Sequence, residues 1–129
     1  MTAKRKIIST QHAPAAVGPY SQAVQIGDLI YSAGQISLVP ETGNLVEGNI
    51  ETQTRQVMQN LSAVLEAAGS SLSNIIKTTI FVTDLADFAA INQVYGSFFE
   101  ADPPARSTVQ VAALPLGAQV EIEVVAAIK

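Results

Sequence analysis

A single arginine lies in a long uncharged segment near the C-terminal end of this 129-residue chain. Arg106 belongs to residues 103–118, PPARSTVQVAALPLGA, which contain no Asp or Glu. Its guanidinium can bind a carboxylate through two parallel hydrogen bonds, or it can form an ion pair with Glu121 or Glu123. A hairpin through the LPLGA turn would place Arg106 opposite Val125 and about 13 Å along the strand from Glu121. The sequence leaves ligand binding and ion pairing equally open.

Two glutamates alternate with apolar residues close to the C-terminus. Glu121 and Glu123 are separated and flanked by Val120, Ile122 and Val124, so both carboxylates project from the same face of a predicted strand. On a solvated face this arrangement is ordinary. On a face that lines a subunit interface, one carboxylate would be partly desolvated and would become a candidate general base for water.

An amide interrupts the apolar stripe of a predicted helix. Asn92 follows Phe88 by four residues and precedes Tyr95 by three, which places all three side chains on one helical face. Asn92 is therefore either a buried amide that ties two elements together or a polar group presented to a ligand.

Glycine and proline shape the chain around two further candidate residues. In residues 18–21, GPYS, Tyr20 offers an amphipathic side chain that either completes a turn or forms a pocket wall. In residues 33–35, AGQ, Gly34 permits either a close approach of the backbone to a ligand or a bend at the end of a strand.

The secondary-structure elements that position these residues can be predicted from the spacing of apolar residues, which changes along the chain between the values typical of strands and of helices. We predict two short strands within 23–34, an exposed loop at 40–49, a helix ending at Gly69, a strand at 75–83, a helix capped by Asp84, and strands at 106–112 and 119–127. This order predicts an α+β fold in one domain, 1–129, with two helices packed on one face of a mixed β-sheet.

Composition excludes several classes of chemistry. The chain has no cysteine and one histidine, His12, which excludes disulfides, thiol nucleophiles and histidine-based zinc sites. The net charge is −4 and the basic residues form no stripe, so we expect no nucleic-acid partner. We also expect no signal peptide and no membrane span, hence a cytoplasmic protein. The low charged share, 14%, suggests that other copies of the chain cover part of the surface.

Four stretches together resemble the Rid family, also called YjgF or L-PSP, over nearly the whole chain. They are APAAVGPYSQAV (13–24), AGQIS (33–37), KTTIFVTDLADFAAIN (77–92) and PARSTVQVAALPLGAQVEIEVVA (104–126). The PAR segment followed by a strand with Glu-Ile-Glu is the signature of that family.

This resemblance implies a chorismate-mutase-like fold and a homotrimer with a central barrel and sites between subunits. It implies a deaminase that hydrolyses 2-iminobutanoate and 2-iminopropanoate, the latter from 2-aminoacrylate, to 2-keto acids and ammonia without cofactor or metal. The substrates would come from pyridoxal-phosphate dehydratases. Arg106 then matches the arginine that binds the substrate carboxylate, and Glu121 matches the glutamate that positions water. The other residues implied at the site are Tyr20, Ala33, Gly34, Asn92 and Thr108.

Two positions depart from the family pattern. Ala33 stands where the deaminases often carry serine, and Thr108 replaces a frequent cysteine, so activity is expected while its rate and preference are open. Other functions also stay open: a non-catalytic binder of small carboxylates or keto acids, an endoribonuclease or translation inhibitor, and a holdase chaperone.

Overall fold

The structure, a computed structural model, describes residues 4–129. Its strands are β1 (Lys6–Ile8), β2 (Ala23–Ile26), β3 (Leu29–Ser32), β4 (Ile75–Val82), β5 (Ala105–Gln110) and β6 (Val120–Ala127). Its helices are α1 (Ile50–Ala67) and α2 (Phe88–Gly96), and short 3₁₀ turns occupy Leu72–Asn74, Leu85–Asp87 and Pro115–Gly117. The predicted α+β class is confirmed.

The strands form one mixed sheet in the order β1-β2-β3-β6-β4-β5. Strands β4 and β5 are parallel, whereas the other neighbouring pairs are antiparallel. The parallel pair needs a crossover connection, and α2 supplies it. The hairpin expected between the last two strands is therefore wrong, because β4 lies between β5 and β6 and pairs with both of them.

The two faces of the sheet differ in what covers them. Ile80, Ile122 and the α1 residues Leu61 and Leu65 are almost completely buried in one core, so both helices pack on the same face. Burial of each such side chain contributes about 1.5–3 kcal/mol. We call this covered side the helix face. The opposite side, from which Glu121 and the other alternate residues of β6 project, is the open face.

The helix α1 begins seven residues before the first apolar residue of the predicted stripe, Val57. Its first turn is polar apart from Ile50, and the Asn49 side chain accepts a hydrogen bond from the Thr52 amide at 3.0 Å. Such a cap satisfies an otherwise unpaired amide and needs no apolar period, which explains the early start. The helix ends as predicted near Gly69, whose φ is +80°.

Strand β1 is an element that the sequence pattern did not predict, since it is only three residues long and lies at the sheet edge. No helix within the described residues is long and apolar enough to cross a membrane.

Candidate functional site

The guanidinium of Arg106 lies against helix α2 on the helix face. Arg106 aligns with Thr78 in the β4–β5 pair, and its Nη1 donates a hydrogen bond to Asn92 Oδ1 at 2.7 Å. Its Cζ atom lies 5.3 Å from the centre of the Phe88 ring and 5.2 Å from that of Tyr95. Both distances suit cation–π contacts. The side chain is exposed, and within residues 4–129 its hydrogen bond to Asn92 leaves several N–H donors for an anion.

We call Phe88, Asn92 and Tyr95, which surround the Arg106 guanidinium, the cage, and the helical period brings these three side chains together. Phe88, Asn92 and Tyr95 are spaced four and three residues apart, so they share the α2 face that meets β5. The Tyr95 hydroxyl lies 2.9 Å from the Thr78 hydroxyl in a buried hydrogen bond, which fixes the ring. Burial raises the pKa of the Tyr95 phenol, although the Thr78 hydrogen bond and the Arg106 charge oppose that rise. The phenol therefore stays neutral beside the guanidinium.

Glu121 lies on the open face, in the wall of a cavity of about 280 Å³. The cavity is also lined by Pro14, Ala15, Val17, Tyr20, Gly34, Gln35, Ile36, Leu38, Pro115 and Leu116. Burial raises the pKa of the Glu121 carboxyl, and the nearby charge of Glu123 raises it further. A carboxylate in this state binds a proton more readily than one in free solution.

Gly34 provides the room that the Glu121 carboxylate occupies. A Cβ atom built on Gly34 would lie 2.7 Å from Glu121 Cδ and closer still to Oε2. Any residue other than glycine would displace the carboxylate. The segment is fixed against β6 by the neighbouring Gln35, whose backbone exchanges two hydrogen bonds with Ile122.

Buried amide side chains hold the remaining walls of the cavity. The Gln22 side chain accepts from the Thr10 amide at 2.7 Å and donates to the carbonyl oxygens of Thr10 and Pro14, at 3.0 and 2.8 Å. From α1, Asn60 Nδ2 donates to the Leu38 carbonyl at 2.9 Å. These bonds fix two loops whose own backbones form no continuous ladder with the sheet.

The residues predicted from the sequence divide into two groups. Tyr20, Gly34 and Glu121 line the cavity, whereas Arg106, Asn92 and Thr108 belong to β5 and α2. Arg106 points to the helix face and Glu121 to the open face, with β4 between their strands. A single chain therefore does not bring the guanidinium and the carboxylate together.

The remaining predictions concern smaller contacts. Within one chain, Arg106 forms no ion pair with Glu121 or Glu123, because both carboxylates project from the other face and the guanidinium donates a hydrogen bond to Asn92. Ala33 does not line the cavity. Its backbone amide donates a hydrogen bond to the backbone carbonyl of Gln22 at 2.9 Å. The Thr108 hydroxyl oxygen is buried and has no hydrogen-bond partner within the described part of the chain.

Sequence reasoning missed the aromatic cage and the Gln22 anchor. The sequence does contain a signal for the cage, because Phe88, Asn92 and Tyr95 fall on the same helical stripe. What was missing was the position of β5 beside that stripe. Gln22 gave no sequence signal, since its partners are backbone atoms of a loop without periodicity.

A larger and more open concavity, about 1140 Å³, is lined by N-terminal residues including His12 together with Pro40 and Glu41. It contains neither Arg106 nor Glu121, so it is not the candidate site. Within residues 4–129, no three His, Asp or Glu side chains group closely enough to hold a metal ion.

Comparison with known proteins gives a consistent set of relatives. The model of the endoribonuclease L-PSP family matches residues 10–128. Reactive Intermediate Deaminase A, chloroplastic, of Arabidopsis thaliana is 50% identical over 123 residues, which cover 95% of this chain and 66% of the plant protein. The 2-iminobutanoate/2-iminopropanoate deaminase of Mus musculus is 48% identical over 122 residues, which cover 95% of this chain and 90% of the mouse protein.

Solved structures give the same result for the fold. The YjgF gene product of E. coli superposes with a TM-score of 0.92 at 46% identity, covering 96% of this chain and 99% of that one. TdcF of E. coli, solved with bound serine, has a TM-score of 0.91 at 47% identity, covering 95% of this chain and 98% of that one. The predicted YjgF-type fold is confirmed.

Proposed function

The chain belongs to the endoribonuclease L-PSP family, and we propose that it hydrolyses 2-imino acids, with 2-iminobutanoate and 2-iminopropanoate as substrates, to 2-keto acids and ammonia. The observation that carries this proposal is the exposed Arg106 guanidinium. Asn92 and two aromatic rings hold it in place, and several of its N–H donors remain available for an anion. Relatives named as deaminases of these two imino acids support the choice of reaction.

The first step is capture of the substrate carboxylate by Arg106. Bidentate binding fixes the plane of the carboxylate and therefore the direction of the adjacent C=N bond. Asn92 and the aromatic rings restrict the guanidinium before the substrate arrives, so little conformational entropy is lost on binding. The serine bound to the related TdcF carries the same pair of groups, a carboxylate and a nitrogen on the next carbon.

The second step is addition of water to the imine carbon. The Glu121 carboxylate accepts a proton from the water as its oxygen bonds to carbon, and the carbinolamine that forms then loses ammonia to give the keto acid. One water is consumed and one ammonia is released for each substrate. The raised pKa of Glu121 suits this role, because it makes the carboxylate a stronger base toward the attacking water; the carboxyl then returns the proton to the leaving nitrogen.

The third part of the proposal is a homotrimer in which each site lies between two subunits. Arg106 and Glu121 face opposite sides of one sheet, so a second copy has to supply one of them. The open face carries apolar side chains that water would otherwise cover, including Ile7, Tyr31 and Val109, exposed by 52%, 47% and 42%. A sheet face of this kind is typical of a subunit interface.

The test is ammonia release from freshly generated 2-iminobutanoate, since free imines also hydrolyse without an enzyme. The native protein is expected to accelerate release, and Arg106→Ala to lower kcat/KM at least about 100-fold through loss of two charge-assisted hydrogen bonds. Arg55→Ala, an exposed arginine on α1, is the matched control. No acceleration by the native protein, combined with tight binding of 2-oxobutanoate, would identify a non-catalytic keto acid binder instead.

Glu121→Gln tests the base separately from the carboxylate anchor. Loss of a general base costs about 10²–10⁴-fold in kcat, while the carboxylate anchor and therefore KM stay in place. Full activity of Glu121→Gln in a single turnover would remove Glu121 from the mechanism and leave the Arg106 result unaffected.

The name of the family suggests a second activity, cleavage of RNA. The charge distribution opposes it: Lys4, Arg5, Lys6 and Lys129 lie at the chain ends, and the net charge is −4. Affinity for RNA that falls steeply with salt would contradict this judgement.

A further inference from the structure

Leu116 combines strong exposure with a strained backbone. Its φ is +58°, in the left-handed region that bulky residues rarely occupy, and 69% of its surface is exposed. It lies between Pro115 and Gly117 in the last 3₁₀ turn and forms part of the wall of the cavity that contains Glu121. Neither helix nor strand geometry requires this conformation. Strain that persists at the edge of a site is a reason to look for a function.

The cavity wall is apolar except at one point. Val17, 83% exposed, stands with Leu116 at the rim, and Ile36 and Leu38 lie in the wall. Glu121 is the one acidic lining residue, and no Lys, Arg or His lines the cavity within residues 4–129. A substrate carboxylate is therefore repelled from this cavity. The part of a substrate that fits beside Glu121 is an uncharged one.

The volume of the cavity, about 280 Å³, lies just below the range of about 300–1,000 Å³ typical of pockets for drug-sized ligands. It leaves room for an aliphatic side chain beside Glu121. The apolar and acidic lining, and not the volume, is what disfavours a carboxylate there.

We propose that Leu116 determines substrate specificity by forming, with Val17, a subsite for the aliphatic side chain of the imino acid. This inference rests on the proposed deaminase function. It assigns to the chain a preference for imino acids with side chains larger than methyl, and it predicts rejection of side chains that carry a carboxylate. Leu116 lies in the cavity wall with most of its surface exposed, so its isobutyl group is accessible to a substrate side chain.

The test compares kcat/KM for the imines of alanine, leucine and aspartate. Leu116→Asn is expected to lower the leucine-to-alanine ratio at least about fourfold, which corresponds to the 0.8 kcal/mol of one methylene. Asparagine tolerates a positive φ, so the backbone is preserved. Leu116→Met, which keeps an apolar side chain of similar volume, is the matched control and is expected to keep the ratio within about twofold.

Two results overturn the inference while the deaminase function stands. The first is an unchanged leucine-to-alanine ratio in Leu116→Asn at unchanged assembly mass. The second is a loss of assembly mass in that variant, measured by sedimentation, because Leu116 would then be a subunit contact and not a subsite.

A binding measurement separates this inference from the proposed function. Calorimetry with 2-oxopropanoate and 4-methyl-2-oxopentanoate reports side-chain preference without any turnover. If the native protein accelerates no imine hydrolysis, the proposed function fails, yet tighter binding of the larger keto acid that Leu116→Asn abolishes still supports the subsite. Equal binding of both keto acids by the native protein overturns the subsite whether or not the enzyme is active.

Discussion

Glu121 and Glu123 project from the same face of β6, and only Glu121 lines the cavity. Partial burial and the charge of its neighbour both stabilise the protonated form of Glu121, so its pKa lies above the ordinary value of 4.5. A general base has to be ionised before catalysis. In the proposed mechanism, the environment of Glu121 therefore shifts the pH range of activity upward.

This shift gives a prediction for the pH dependence of kcat/KM. The rate is expected to fall as pH decreases through the raised pKa of Glu121, because the proton then occupies the base. Glu123→Gln removes one cause of the rise, so the inflection is expected to move to lower pH while the plateau stays the same. An inflection at the same pH in both proteins would show that Glu123 does not act on the catalytic group.

Gly34 leads to a prediction about the position of the Glu121 carboxylate, whereas Glu123 affects its charge. In Gly34→Ala the new methyl group would occupy the place of the Glu121 carboxylate, which has to swing away from the reacting carbon. A displacement of about 1 Å can cost about 100-fold in rate, so we expect kcat to fall at least tenfold with a smaller change in KM. Gly96→Ala, where a Cβ meets no atom of residues 4–129 within 4 Å, is the control. Equal kcat in the two variants would contradict the close packing.

At the scale of elements, local patterns predicted most of the secondary structure but not all of its arrangement. The strand pair around Gly27-Asp28 and β4 follow from turn residues and residue alternation, and the structure confirms them. Both predicted helices are present, but Asp84 caps the 3₁₀ turn Leu85–Asp87, and α2 itself begins only at Phe88. The hairpin predicted for β5 and β6 is wrong, because the connection over residues 111–119 is long enough for β4 to lie between the two strands. The strand–helix–strand order from β4 through α2 carried the better signal, since a helical crossover returns the chain parallel to its first strand.

The parallel pairing of β5 with β4 determines which residues surround Arg106. With β5 beside β4 and under α2, Arg106 meets Asn92, which the sequence marked only as an anomaly in an apolar stripe. Residue types and spacing therefore predicted Arg106, Asn92 and Glu121 as the polar positions of interest. They did not show which sheet face each one occupies, because the face of a strand depends on register with its neighbours.

The cage around Arg106 yields a prediction that belongs to α2. Phe88→Leu removes one ring from the guanidinium, and loss of an exposed cation–π contact of about 0.5–1 kcal/mol is expected to raise KM about two- to fivefold at constant stability. Tyr95→Phe keeps its ring but leaves the Thr78 hydroxyl buried without its partner. We expect it to lower the free energy of unfolding by about 1–3 kcal/mol with little change in KM.

Steady-state kinetics and denaturant unfolding of the two variants separate anchoring of the guanidinium from packing of the helix. The interpretation fails if Phe88→Leu changes stability as much as Tyr95→Phe does, or if Tyr95→Phe alters KM more than Phe88→Leu.

At the scale of the whole molecule, the composition and the sheet point to the same conclusion. Charged residues make up 14% of the chain, and exposed apolar residues such as Ile7 and Tyr31 lie on the open face. The covered helix face supplies the core of one subunit. No helix covers the open face within residues 4–129, and only the loop segments that line the Glu121 cavity lie over part of it. This agrees with the proposal that other subunits cover the rest.

The shared site is tested by complementation between two inactive variants. In the proposed homotrimer, Arg106→Ala lacks the carboxylate anchor and Glu121→Gln lacks the base, so each variant alone is expected to have at most about 1% of the native activity. When the two are unfolded together and refolded as a mixture, an interface between an intact Arg106 and an intact Glu121 forms in about one quarter of cases, because each partner is the required variant half of the time. We therefore expect ammonia release to recover to about one quarter of the native rate. The control is a mixture of the two folded variants without refolding, which is expected to show no recovery. A co-refolded mixture that has the native mass but also shows no recovery would mean that the two groups do not meet across a subunit interface.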